Sequence, residues 1–161
     1  MLQKMANNDV HHCCGACKHC HCKRHQGLKD RELAFLLCLR QIPFLPVCAF
    51  AMGDGLNDQS DRIVFAPFYL LDPSESFERL IETGLLLKGL ADKGFISLDY
   101  QLPLQGYDYL DYWQSNAYKT YCEAVLSGKE NGALYNTPKL YCGSLALTMS
   151  GAALMDEWEI A

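Results

Sequence analysis

Outside residues 11–25 this chain has no histidine, although it holds five in all. A Ser–His or Cys–His catalytic pair elsewhere would have to borrow its base from that one segment, which sets most hydrolase mechanisms aside. A glycine-rich phosphate loop is also missing: the glycines of GDGLND (53–58) lack the spacing and the following lysine that such loops use. No internal repeat is visible, and no low-complexity tract apart from a Cys/His cluster. The opening MLQKMANNDV has no apolar h-region. The expected setting is therefore cytoplasmic, where cysteine-rich sequence reads as metal-binding or redox-active rather than as a disulfide frame.

Basic residues are scarce after the first thirty positions. Through Arg31 there are six Lys/Arg against Asp9 and Asp30 (+4); beyond it eight bases face seventeen acids (−9). Only the head is basic, and zinc on four thiolates would cut its charge to about +2. Attraction to phosphate is then modest and opposed by the acidic remainder. The most apolar run, Leu33 to Met52, is interrupted by Arg40, Gln41, Pro43 and Pro46. It reads as a core helix running into a buried strand, with no membrane association.

What is present is concentrated. HHCCGACKHCHCKRH (11–25) contains every histidine and five of the nine cysteines. Deprotonated ligands packed this densely repel one another unless a cation sits among them, most readily zinc. Cys14 and Cys17 form C-x2-C, Cys17 and Cys20 a second, Cys20 and Cys22 are two apart, and His25 follows three beyond Cys22. Cys14, Cys17, Cys22 and His25, or Cys14, Cys17, Cys20 and Cys22, can each close a tetrahedral site; His11, His12, Cys13, His19 and His21 compete. The run also begins like an iron–sulfur motif, yet Arg24 stands where the fourth cysteine belongs, so a cluster would need a distant cysteine. A cysteine-rich tail that takes up metal adventitiously is the third reading.

Length and apolar content suit one core plus a small head: a Cys/His-rich segment over 1–29 and a body over 30–161. In the body, Asp30 caps a helix that Pro43 stops. FLPVCAFA (44–51) and IVFAPFYLL (63–71) read as strands around a loop. Asp72, Pro73, Ser74 and Glu75 read as the start of a helix that keeps its spacing to Lys93 and Gly94, with Gly84 and Gly89 as weak points. FISLDY (95–100) alternates as a strand. Ser115 caps a helix carrying Tyr118, Tyr121, Cys122 and Val125 on one face. NGALYNTP is a loop, YCGSLALT (141–148) a strand, and Thr148 caps a last helix with Leu154, Met155 and Trp158 inward.

Asp99, Asp108 and Asp111 alternate with Tyr100, Tyr107, Tyr109 and Tyr112, the pattern of a solvated hairpin edge rather than of a carboxylate pair for acid–base work. These tyrosines can instead form a partner-binding surface. Interleaved with acids, they suit a protein better than a nucleic-acid strand. Cys38, Cys48, Cys122 and Cys142 fall in apolar text and read as inert core residues.

LLLKGLADKGFISLDY, followed at a distance by SLALTMSGAALMDEWE, resembles the winged-helix superfamily over roughly the second half of the chain. The resemblance implies an α+β, winged-helix-like body in which residues 77–93 would read a DNA groove and 101–109 would form a wing. That wing has no Lys or Arg, so the shape need not carry DNA binding. The expectation is a zinc-binding regulatory or binding module and not an enzyme, with protein or DNA as partner. The rivals are a metal or thiol-redox sensor and a protein-interaction adaptor.

Overall fold

The computed structural model describes residues 27–54 and 60–160. Their elements run α1 (Asp30–Gln41), β1 (Phe44–Gly53), β2 (Arg62–Phe68), α2 (Phe77–Asp92), β3 (Ile96–Asp99), α3 (Leu110–Trp113), α4 (Asn116–Glu130), β4 (Thr137–Leu147) and α5 (Met149–Ile160). Among the described residues, four strands make one antiparallel sheet in the order β2-β1-β4-β3, so the architecture is α+β.

The long apolar run divides as its prolines require. α1 stops at Gln41, Ile42 turns extended ahead of Pro43, and the rest becomes β1. No helix among the described residues is long and apolar enough to cross a membrane. At the other end of α1, Lys29 rather than Asp30 holds the cap position, and Glu32 reaches back to accept the Lys29 N–H at 2.9 Å. The acid three residues in decided the start, not the Asp.

β1 lies between β2 and β4, so its residues Val47 to Ala51 are all buried. Successive side chains of a strand alternate between faces, and the core divides accordingly. Cys48 and Phe50 join Phe68, Leu80, Leu140 and the tyrosines of α3 and α4; Val47 joins Leu36, Leu39, Leu87, Leu90, Leu145 and Met155 from α1, α2, β4 and α5. Each fully buried leucine contributes about 1.5–3 kcal/mol relative to exposure.

Two expected element bounds and one expected burial are corrected. Asp72–Glu75 forms a closed turn in which the Glu75 carboxylate accepts the Leu71 and Asp72 N–H groups at 2.7 and 2.9 Å; α2 begins only at Phe77, capped by Ser76. The reciprocal bonds are those of a helix start, but they stop after one turn. β4 begins at Thr137 rather than 141, because β1 extends to Gly53 and supplies a partner at each step. Trp158 stays 37 % exposed while Met155 is buried.

α2 is unbroken at its glycines. A side chain at Gly84 would meet the Pro67 carbonyl of β2 at 3.0 Å, and one at Gly89 would meet Glu32 of α1 at 3.1 Å, so both residues permit close packing. The helix ends as expected, with Gly94 at φ +79° and the Gly94 and Phe95 N–H groups closing onto Ala91 and Leu90. α5 starts where Thr148 Oγ1 accepts the Gly151 N–H at 3.0 Å.

Candidate functional site

The sequence-predicted metal ligands Cys14, Cys17, Cys20, Cys22 and His25 lie outside the described residues. Among the described residues no group of three or more Cys, His, Asp or Glu is assembled to hold a metal.

The tyrosine-rich segment departs most from expectation. Residues 101–109 form turns and irregular chain instead of strands, and Tyr109 takes a left-handed conformation (φ +56°) to start α3. Tyr109 and Tyr112 are buried rather than solvated. A buried tyrosine needs a partner for its hydroxyl, and the sheet provides one each time. Tyr109 donates to the Gly143 carbonyl at 2.6 Å and accepts the Leu104 N–H at 2.8 Å; Tyr112 donates to Pro46 O at 3.1 Å and accepts the Leu70 N–H at 3.2 Å. From α4, Tyr121 donates to Ala51 O at 2.6 Å while its ring stacks on Phe50 at 4.7 Å. Burial raises all three phenols, which stay protonated at neutral pH. These rings build the core, and what the segment leaves exposed is its rim of Leu102, Tyr107, Leu110 and Trp113.

A polar cluster that sequence inspection passed over lies beside that rim. Asp61, at the foot of β2, receives Lys139 Nζ at 2.8 Å on each carboxylate oxygen and the Tyr141 hydroxyl at 2.7 Å. Its side chain is 5 % exposed, and its carboxylate fills the space a side chain at Gly53 would occupy. The hydrogen bonds from Lys139 and then Tyr141 hold it below the usual carboxylate range. Asp61 is thus an ionised acceptor at neutral pH, not a proton donor.

The cluster borders a cavity of about 570 Å³ whose walls include Gln101, Trp113, Tyr118 and Pro138. Trp113 meets Tyr118 edge to face at 5.4 Å. Aromatic walls with an amide and a neutralised ion pair can bind a ligand by stacking and hydrogen bonding. The arrangement presents no activated nucleophile. Sequence could not disclose it, since Asp61 and Lys139 are 78 positions apart and meet only because β1 pairs with β2 and β4 together.

The other cysteines divide by environment. Cys48 is buried in the aromatic cluster, Cys122 and Cys142 are half-buried against it, and Cys38 is exposed on α1. The expectation of a buried Cys38 is therefore corrected: it falls on the outer side of a helix whose buried positions are Glu32, Leu36 and Leu39. No protein-family model, curated protein or solved structure matches this chain.

Proposed function

We propose that this protein is a zinc-binding regulatory or binding module. Residues 1–29 carry the metal on four ligands drawn from Cys14, Cys17, Cys20, Cys22 and His25, and the body from residue 30 engages a partner. The observation that carries this reading is the density of the segment: five cysteines and five histidines within residues 11–25, and no histidine elsewhere. A cytoplasmic setting keeps such thiols reduced and available to metal.

Metal analysis of the full chain, purified without oxygen, tests it. One firmly held zinc per chain is expected, with thiols that become reactive when a chelator removes it. Sub-stoichiometric metal, or thiol reactivity indifferent to chelator, overturns it. Iron with sulfide replaces zinc by a cluster. Labile or multiple metals favour the sensor reading, which the surplus of ligands beyond four supports.

For the partner we favour a protein. The rim of Leu102, Leu110 and Trp113 offers exposed apolar surface beside an aromatic cavity, the kind of patch that protein interfaces use. The winged-helix likeness rests on element order, α2 then β3, with β3 beside β4 and α5 closing the chain segment. It carries no need for DNA, because the charged positions of α2 mix Glu78, Arg79, Glu82, Lys88 and Asp92. Retention on nonspecific duplex at low salt, lost as salt rises, would reverse that preference.

A further inference from the structure

β1 and β4 share an unbroken register from Phe44↔Ala146 to Gly53↔Thr137, and within it Cys48 stands directly opposite Cys142. Direct partners in an antiparallel pair have Cα atoms about 4.5 or 5.5 Å apart, and both spacings fall within the roughly 4.4–6.8 Å that a disulfide spans. Opposed side chains also share a face. Cys48 belongs to the aromatic cluster and Cys142 packs against that same cluster. Among the described residues, the only hydrogen bond of Cys142 Sγ is a weak one to the Leu140 carbonyl of its own strand, at 4.0 Å, so no strong bond holds that sulfur away from Cys48.

The pair is unequal. Cys48 has no exposed surface, whereas Cys142 is partly open. Burial pushes the Cys48 thiol far up, and the neighbouring Cys48 side chain draws the Cys142 thiol down. Cys142 is the sulfur that ionises first and that a reagent meets first. The other two body cysteines are placed differently: Cys38 is exposed on α1, and Cys122 is half-buried on α4.

We propose that Cys48 and Cys142 form an oxidisable dithiol, which hydrogen peroxide closes into a cross-strand disulfide between β1 and β4. The Cys142 thiolate attacks one peroxide oxygen; an S–O bond forms, the O–O bond breaks, and the departing hydroxide takes a proton to become water. Cys48 then attacks the Cys142 sulfenic acid, an S–S bond forms, and the hydroxyl leaves with the Cys48 proton as a second water. The two sulfurs lose two electrons and the peroxide gains them. A dithiol reverses the step by thiol–disulfide exchange: its thiolate attacks one sulfur of the bridge, the other leaves as a thiolate, and the dithiol closes on itself to release the second. The inference is independent of the metal-binding reading, because neither cysteine lies in residues 11–25.

The test treats the full chain with peroxide, denatures it in the presence of an alkylating reagent so that every remaining thiol is blocked, and maps peptides by mass spectrometry. A crosslinked peptide joining Cys48 to Cys142 is expected, about 2 Da lighter than its reduced parts, with alkylation of both residues falling about fivefold or more and returning after dithiothreitol. C142S removes the crosslink. C48S leaves Cys142 as a sulfenic acid that dimedone captures, and C122S leaves the crosslink intact. The wild-type map needs no variant to fold. Cys142 that stays alkylatable, goes directly to sulfinic acid, or joins Cys122 instead overturns the proposal. Metal content measured before peroxide is added reports separately on the zinc reading.

Discussion

Lys93, the residue that closes α2, reaches the buried carboxylate of Glu32 on α1 at 2.8 Å. The same lysine donates to the Gly27 carbonyl, and the same carboxylate accepts the Lys29 N–H. One ion pair therefore ties the start of the first helix to the end of the second, across the gap that Gly89 leaves open.

That pair sets a pH dependence. Burial alone would raise the Glu32 carboxyl, but the Lys93 hydrogen bond, the Lys29 N–H and the lysine charges together outweigh it and lower it. A depressed carboxyl contributes stability that is complete above its unfolded value, about 4.3, and is lost as pH falls through the folded value. Glu32→Gln should cost about 1.5–3 kcal/mol at pH 7, the range for a hydrogen bond to a charged group. Urea midpoints taken from pH 7 down to pH 3 should show wild type converging on the variant. Parallel curves would rule the linkage out.

The tyrosine hydroxyls give a graded series. Tyr112 holds both the Leu70 N–H and the Pro46 carbonyl, whereas Tyr121 holds the Ala51 carbonyl. Tyr112→Phe leaves a donor without its partner, and should cost about 1–3 kcal/mol. Tyr121→Phe strands only a carbonyl with a second lone pair, and should cost about 1 kcal/mol. Equal losses in denaturant melts would count against this ordering of the network.

Gly143 marks where β4 meets the chain leaving β3. A methyl there would lie 2.0 Å from the Asp99 carbonyl and 2.4 Å from Tyr100 Cα, backbone atoms that cannot swing aside. Gly143→Ala should destabilise by about 1–3 kcal/mol or more and loosen β3, seen as faster amide exchange at Ile96–Asp99. Gly128→Ala, inside α4, is the control: its methyl meets the Cβ of Ala133, beyond the helix end, at an ordinary 3.7 Å, so helix propensity should make it neutral or stabilising by about 0.5–1 kcal/mol. A Gly143→Ala protein with unchanged stability would remove the close approach from consideration.

Local signals were read well where a few neighbouring residues suffice. Pro43 ended α1, Gly94 ended α2, and Ser115 and Thr148 capped α4 and α5. Each depends on backbone groups within one turn. The Asp72–Glu75 turn misled because its bonds are equally local and do not state whether a helix continues. The alternating Asp/Tyr text misled for the opposite reason. Its period of two is that of a strand edge, but the tyrosine hydroxyls found carbonyls on β1 and β4, and burial of the rings outweighed the strand pattern.

By itself the sequence determined the α+β composition, the C-terminal ends of α1 and α2, the caps of α4 and α5, and the concentration of metal-ligating residues in one stretch, since these follow from residue type and short-range spacing. Only the tertiary structure decided which distant residues became neighbours: Asp61 with Lys139, Glu32 with Lys93, and Cys48 with Cys142. The physical reason is that strand register is a property of two segments at once. It is set by how β1 threads between β2 and β4 with apolar side chains on both faces, and no single stretch of the chain contains that information.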